Sequence, residues 1–379
     1  MVTLRRQDGF TLVELLMATA ITLIVLATAT GTFRNALSLN ETATLVADSN
    51  QNLRAGSNVF VRDLMQAGRG IPTGGIAIPS GLGATAISRP SPLVNPPVAL
   101  TFDNIGQTAL AAVTTGYQLG PVINGRASDI ITMLALDPTS YVAYPAGEFK
   151  QMPLSIPPPV APATLPVGIT APAPKLQDDG ASLTVGQFAT WISDAVSGIK
   201  AGDLLLFNNA NGTAVQTVTS TDATTVYFAP GDPFNFNQSG AGQGSITQLR
   251  GGAAFFPRTD VVRIQMLTYY LDALTIPGEP RLMRRLNFFA PQALAGLVDD
   301  LTITYDLVDS TLNPVHPVDQ TSVPVTIAGK SFGANQIRKA NLRMAVRSEA
   351  KSSVRADYLR NTINTVVSLR SLAYVDRYN

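Results

Sequence analysis

Twenty consecutive residues near the start of this chain, 10–29 (FTLVELLMATAITLIVLATA), contain a single charge, Glu14. As an α-helix rising about 1.5 Å per residue, the run spans roughly 30 Å, the thickness of a bilayer core. A helix apolar on every side has to be covered on every side, by lipid or by protein. Arg5 and Arg6 precede the run and no cation lies inside it. The N-terminus is therefore expected to stay in the cytoplasm while the rest of the chain is exported. Three kinds of segment fit these facts. One is a secretory signal with an apolar centre at 12–26, an Ala27-Thr28-Ala29 cleavage site and a weak twin-arginine look at Arg5-Arg6. The second is an uncleaved anchor. The third is a leader cut ahead of the apolar run, which leaves the run in the mature protein.

Glu14 discriminates among them. A carboxylate costs about 2.5–3.5 kcal/mol at mid-membrane on insertion scales, and less near an end. Signal sequences and plain anchors gain nothing from it. The prosaic reading is a first-turn glutamate that snorkels and is favoured by the helix dipole. Its setting is Gly9-Phe10-Thr11-Leu12-Val13-Glu14-Leu15-Leu16. This closely resembles the class III leader of type IV pilins and type II secretion pseudopilins. The resemblance implies cleavage after Gly9 by an inner-membrane prepilin peptidase and N-methylation of the new terminal Phe10. It also makes Glu14 the assembly residue, fifth in the mature chain. The physics agrees: in a fibre, a neighbour's terminal ammonium can neutralise Glu14 and turn a costly lone charge into a buried pair that fixes register.

Helical spacing continues beyond the run. Leu45, Leu53, Phe60 and Leu64 form one stripe, with Val46, Val59 and Ala67 beside them, and Asp48, Asn52, Arg62 and Asp63 fall mostly away from it. No proline occurs before Pro72, and Gly31 is the one expected soft point in the middle. The division expected is a leader at 1–9 and a helix over 10–70, ending at Gly68-Arg69-Gly70. Within that helix, 10–30 is membrane- or fibre-embedded and 31–70 is an amphipathic stalk. A β-rich head follows at 71–379.

Within the head, 129–136 reads as a buried strand and 183–196 as a short helix around Trp191. Strands are expected at 202–207, 213–220 and 224–228. A hairpin is expected from 261–271 and 281–289 about Pro277-Gly278. Further strands are expected at 301–308, 335–348 and 358–372. Residues 152–174 carry eight prolines and no acidic residue or Arg. They read as an extended, polyproline-like insertion rather than sheet interior, and a proline-recognition ligand is the less favoured reading. The fold class is thus α+β: a long N-terminal transmembrane and stalk helix packed on a large antiparallel β-sheet head. The stretches 59–68 (VFVRDLMQAG), 269–271 with 281–282, 297–305 (LVDDLTITY) and 366–370 resemble PilW-type minor pilins and, more loosely, J-type pseudopilins. Many pilins clip the C-terminal loop with a disulfide. This chain has no cysteine, so packing alone must hold its tail.

Composition limits the chemistry. With no cysteine and one histidine, thiol catalysis, disulfide scaffolds, iron–sulfur clusters and multi-histidine metal sites are excluded within one chain. His316 lies in Asn313-Pro314-Val315-His316-Pro317 and reads as a loop residue rather than a triad base. Asp299, Asp300 and Asp306, or Asp178 and Asp179, offer carboxylates for calcium but no EF-hand spacing, so exposed turns are preferred. Gly240–Gly244 lacks the lysine of a phosphate loop. No catalytic residue, metal or cofactor is expected, and the chain reads as a non-enzyme. Charge is low, 14%, with a net of +1, yet residues 336–379 hold nine basic and three acidic side chains, leaving the remainder at −5. Arg338, Lys339, Arg343 and Arg347 are the candidate strip for DNA or another partner. A solvated sheet face that meets acidic neighbours is preferred.

The resemblance implies a minor pilin subunit that acts in pilus assembly or initiation, at the tip or elsewhere. A type II secretion pseudopilin is the alternative, and a DNA-uptake or adhesion pilin the alternative of another class. The implied partners are the inner membrane, other pilins and minor pilins, prepilin peptidase and the pilus assembly platform. The implied location is a single inner-membrane pass with a periplasmic head, then the pilus. Twitching motility and cell adhesion are processes of that assembly.

Overall fold

The structure is a computed structural model. It describes residues 10–90, 100–102, 108–137, 152–154, 174–185, 190–195, 197–252, 256–257, 259–308, 317–352, 356–369 and 371–372. The leader 1–9, residues 155–173 of the proline-rich stretch, His316, Arg355 and Arg370 lie outside them.

Helix α1 runs unbroken from Leu12 to Gln66, through Gly31. No proline interrupts it, and the one-residue propensity cost of Gly31 does not break it. It stops where two glycines take left-handed backbone, Gly68 at φ +80° and Gly70 at φ +72°. The Gly68 N–H donates to Leu134 O at 2.8 Å, which ties the end of the helix to the sheet. A side chain at Gly68 would collide with Leu372, at 2.5 Å.

The chain forms two compact units, Met1–Gln51 with Arg347–Asn361, and Asn52–Val346 with Thr362–Asn379. In the larger unit, six strands dominate one antiparallel sheet: β1 (Ile131–Leu136), β2 (Leu204–Asn209), β3 (Gly212–Thr217), β4 (Thr259–Asp272), β5 (Arg281–Leu286) and β6 (Gln292–Gly296). Short strands at Val113–Thr114 and Met152–Leu154 complete its eight. The long β4 organises it. One edge of β4 pairs with β2 (Leu206↔Val262) and then β5 (Tyr269↔Arg284); the other pairs with β1 (Met266↔Leu134). A second sheet has the order β7–β8–β9, from Val298–Leu307, Ile337–Lys351 and Tyr358–Ser368, with Ile303 opposite Leu342.

The last turns of α1 supply part of the head's main core. Leu53, Phe60 and Leu64, seven and four residues apart, bury against Tyr269, Leu271, Leu282, Leu301 and Leu342. Phe60 stacks flat on Tyr269, with centroids 4.0 Å apart. Gly56 permits this approach, because a Cβ there would lie 2.8 Å from that of Ala295. Helix and antiparallel sheets therefore share one core, in agreement with the α+β reading.

Three local readings are corrected. Asp63 does not face away from the stripe: it is buried, because a tyrosine and an arginine of the sheet hydrogen-bond it there. Residues 183–196 are not one helix. Ser182–Thr184 is a strand with Leu183 buried opposite Val226, and among the described residues of the stretch only Thr190–Ser193 is helical. Met152–Leu154, at the start of the proline-rich stretch, pairs with Thr259–Val261 as a short strand that has no second neighbour among the described residues, a position that tolerates Pro153.

In the smaller unit the β8–β9 turn carries its own contacts. The Arg347 guanidinium lies 4.2 Å from the Tyr358 ring centroid and Lys351 Nζ 5.6 Å from it. The Leu359 N–H donates to Ser348 Oγ at 3.0 Å. The Asn361 side-chain amide donates to Asn50 Oδ1 on the helix.

Candidate assembly site on the N-terminal helix

The first turn of α1 is a capping box. The Glu14 N–H donates to Thr11 Oγ1 at 3.3 Å, and Glu14 Oε2 accepts from the Thr11 N–H at 2.9 Å and hydroxyl at 3.0 Å. Thr11 is the cap and Glu14 the third helical residue, so two orphan N–H groups are answered reciprocally. The capping signal, Thr followed three residues later by Glu, was readable in the sequence and was missed there. It gives Glu14 a local role that the dipole argument only approached. Among the described residues, Glu14 Oε1 accepts no hydrogen bond, and the carboxylate has no cationic partner.

Around Glu14 the helix surface is apolar and uncovered. Phe10 is 91% exposed and Leu12 75%, and Leu15, Leu16, Ile21, Leu23, Ile24 and Leu26 are similarly open. A contiguous apolar surface of this size marks contact with lipid or with other chains. The helix is long and apolar enough to cross a membrane, and its most apolar window is not buried within the chain. Within 12–30 its polar residues besides Glu14 are threonines whose hydroxyls bond back to the helix. Thr19 donates to Leu16 O (2.9 Å), Thr22 to Ala18 O (2.7 Å), Thr28 to Val25 O (2.9 Å) and Thr30 to Leu26 O (2.7 Å). Each hydroxyl is satisfied without water, as an apolar surrounding requires. Glu14 is then the one charge the helix brings into that surrounding.

The basic strip is partly answered within the sheet. Arg343 is half exposed, and its Nε lies 3.5 Å from Asp300 on β7; Arg126 Nη1 lies 3.8 Å from the same carboxylate. Lys339 stands opposite Asp306 in the β7–β8 register. Asp306 also accepts from Asn341 Nδ2 at 2.8 Å. Arg338, next to Lys339, is exposed, and Arg347 sits over Tyr358. The Arg343 charge is thus partly compensated within the sheet. Of the carboxylates considered for calcium, Asp300 and Asp306 lie in these contacts, and Asp179 Oδ1 accepts the Ala181 N–H at 2.9 Å. Among the described residues, no group of three or more His, Asp or Glu side chains could hold a metal ion.

Sequence reasoning also missed a buried node at the helix end. Asp63 Oδ2 accepts from Tyr269 Oη at 2.7 Å and from Arg284 Nε at 2.6 Å. Burial and the Asp63 charge push the Tyr269 phenol up, so it stays a donor. Apolar periodicity carries no signal for such a node.

The family model for the prokaryotic N-terminal methylation motif matches residues 4–30. No curated protein and no solved structure matches the chain. The matched segment covers Gly9, Phe10, Glu14 and the uncovered apolar surface.

Proposed function

Taking a type IV pilin-like chain with a prepilin-type N-terminus as the premise, we propose that the protein is a minor pilin of the PilW kind. A prepilin peptidase cuts it between Gly9 and Phe10 and the new N-terminus is methylated. Residues 10–30 then hold it in the inner membrane until it enters a pilus or the complex that initiates one. The observation that carries this reading is Glu14, a carboxylate without a cationic partner among the described residues, on an otherwise apolar and exposed helix. Cutting after Gly9 creates an α-ammonium one residue before the capping threonine. In an assembly of such helices, the ammonium of one copy answers the Glu14 of the next, while the capping box holds each carboxylate in the first turn. The same helix serves lipid before assembly and neighbouring helices after it.

In this reading the protein catalyses nothing; its working parts are the scissile bond, Glu14 and the apolar surface. The Arg343–Asp300 pair supports a sheet face that meets other subunits rather than a DNA-binding strip. The test is to shear fibres from the producing cells and probe them for the chain. The reading expects it in the fibre fraction at sub-stoichiometric amounts. Its confinement to the membrane, with a secretion defect on deletion and normal pili, would favour the pseudopilin alternative.

A further inference from the structure

Arg89 lies in the head on the two-residue strand Ser88–Arg89. It is almost completely buried, 2% exposed. Its Nη1 donates to Thr115 O at 3.0 Å, and the guanidinium lies 5.7 Å from the Phe102 ring centroid. Nε and Nη2 are buried without a hydrogen-bond partner among the described residues. The residue lines a cavity of about 880 Å³, and no other described side chain of its wall carries a charge. Tyr305 lies near enough to interact electrostatically, but burial pushes its phenol up and keeps it neutral. Burial also lowers the Arg89 pKa to about 10, so the group is still a cation at neutral pH. Gly116 makes room for it, since a Cβ there would come within 3.1 Å of Nη2.

A buried cation with two unanswered donors is costly unless something answers them. The unanswered pair is informative. Nε–H and Nη2–H point along one edge of the guanidinium, at the spacing of two carboxylate oxygens. A single cation also matches a single negative charge better than a dianion. The cavity has the volume of a small-ligand site, and its other walls are apolar or neutral, among them Phe102, Leu119, Val323 and Leu372.

We propose that this cavity binds a small organic carboxylate, with its two oxygens on the Nε–Nη2 edge of Arg89 and its apolar body against Phe102, Leu119 and Val323. Both donors are buried where the guanidinium stands, so binding includes its turn towards the cavity it lines. The Thr115 carbonyl, bonded to Nη1, fixes the pivot.

The test uses the full chain purified in detergent. Acetate, hexanoate and benzoate are titrated against their uncharged amides and against chloride, with the unfolding midpoint and calorimetric heat as readouts. At least one carboxylate is expected to raise the midpoint by a few degrees and to saturate, with its amide and chloride without effect. Arg89→Met is expected to abolish the response while the chain still unfolds cooperatively. Should that variant fail to fold, Ala111→Leu narrows the cavity, leaves Arg89 in place and is expected to weaken binding at least tenfold. A wild-type chain with no saturable response to any of the three, or an equal response to the amides, would overturn the proposal. So would a response undiminished in both variants. None of these outcomes depends on whether the chain enters a pilus.

Discussion

Single side chains in this molecule do work that their residue type alone does not announce. Glu14 closes the first turn of α1 through Thr11 and carries the one charge of an apolar surface. Replacing Glu14 by Ala is expected to reduce incorporation or pilus initiation strongly while the head unfolds at the same denaturant concentration as wild type. Normal piliation by the variant would remove the ion-pair role. Asp129 behaves differently. Burial raises its pKa, although its carboxylate accepts from the Gln118 and Ile303 N–H groups, each at 2.8 Å. Its folded value therefore exceeds the unfolded one of about 3.9. Between the two values the folded chain binds more protons than the unfolded chain. The contribution of this group is then most favourable below the unfolded value and declines as pH rises through the folded one. Asp129→Asn is expected to flatten that decline from about pH 4 upward. It also costs about 1 kcal/mol at every pH, for the N–H that an amide nitrogen cannot accept. Urea midpoints measured against pH would show it; parallel curves for the two proteins would contradict it.

At the scale of elements, α1 is one helix serving two environments. Its first half shows apolar side chains to the outside, and its last four turns bury them in the head. Phe60→Ala is expected to cost about 3–5 kcal/mol in urea unfolding, from the lost stack on Tyr269 and the cavity left behind. Asp63→Ala is expected to cost a similar amount, about 3–5 kcal/mol, because it strands Arg284 and Tyr269 in a buried setting. A loss below about 1 kcal/mol in either would mean that the helix end is not part of the folded core. The helix, its stop at Gly68 and the strands around β4, β7 and β8 were legible because apolar period, glycine and alternation are local signals. Asp63 was not legible, because its burial depends on Tyr269 and Arg284, more than two hundred positions away. The 183–196 region misled for a related reason: Leu183 is a strand residue because Val226 lies across from it, a pairing that no window of sequence contains. Arg89 was equally hidden, as its environment is assembled from strands and turns distant in the chain.

At the scale of the whole molecule, the low charge and near-zero net charge separate into distinct parts. The apolar helix holds much of the missing charge, and the C-terminal strands hold the basic excess, met in part by Asp300 and Asp306. Because Arg343 is half exposed, its pair with Asp300 contributes little, and Arg343→Ala is expected to change head stability by about 1 kcal/mol or less. Tail strands β8 and β9 are held without a disulfide, by apolar residues such as Leu342, Met344 and Val367 in the shared core. In the proposed reading, the head carries the chain's stability and the helix is left for lipid and for other helices, so the leader is removed and the apolar run kept. The direct test is the mature N-terminus, read by intact mass and N-terminal sequencing of the chain recovered from membranes. The account predicts a chain that begins at Phe10 with a methylated amine. A chain that begins at Thr30, with the apolar run removed, would contradict it.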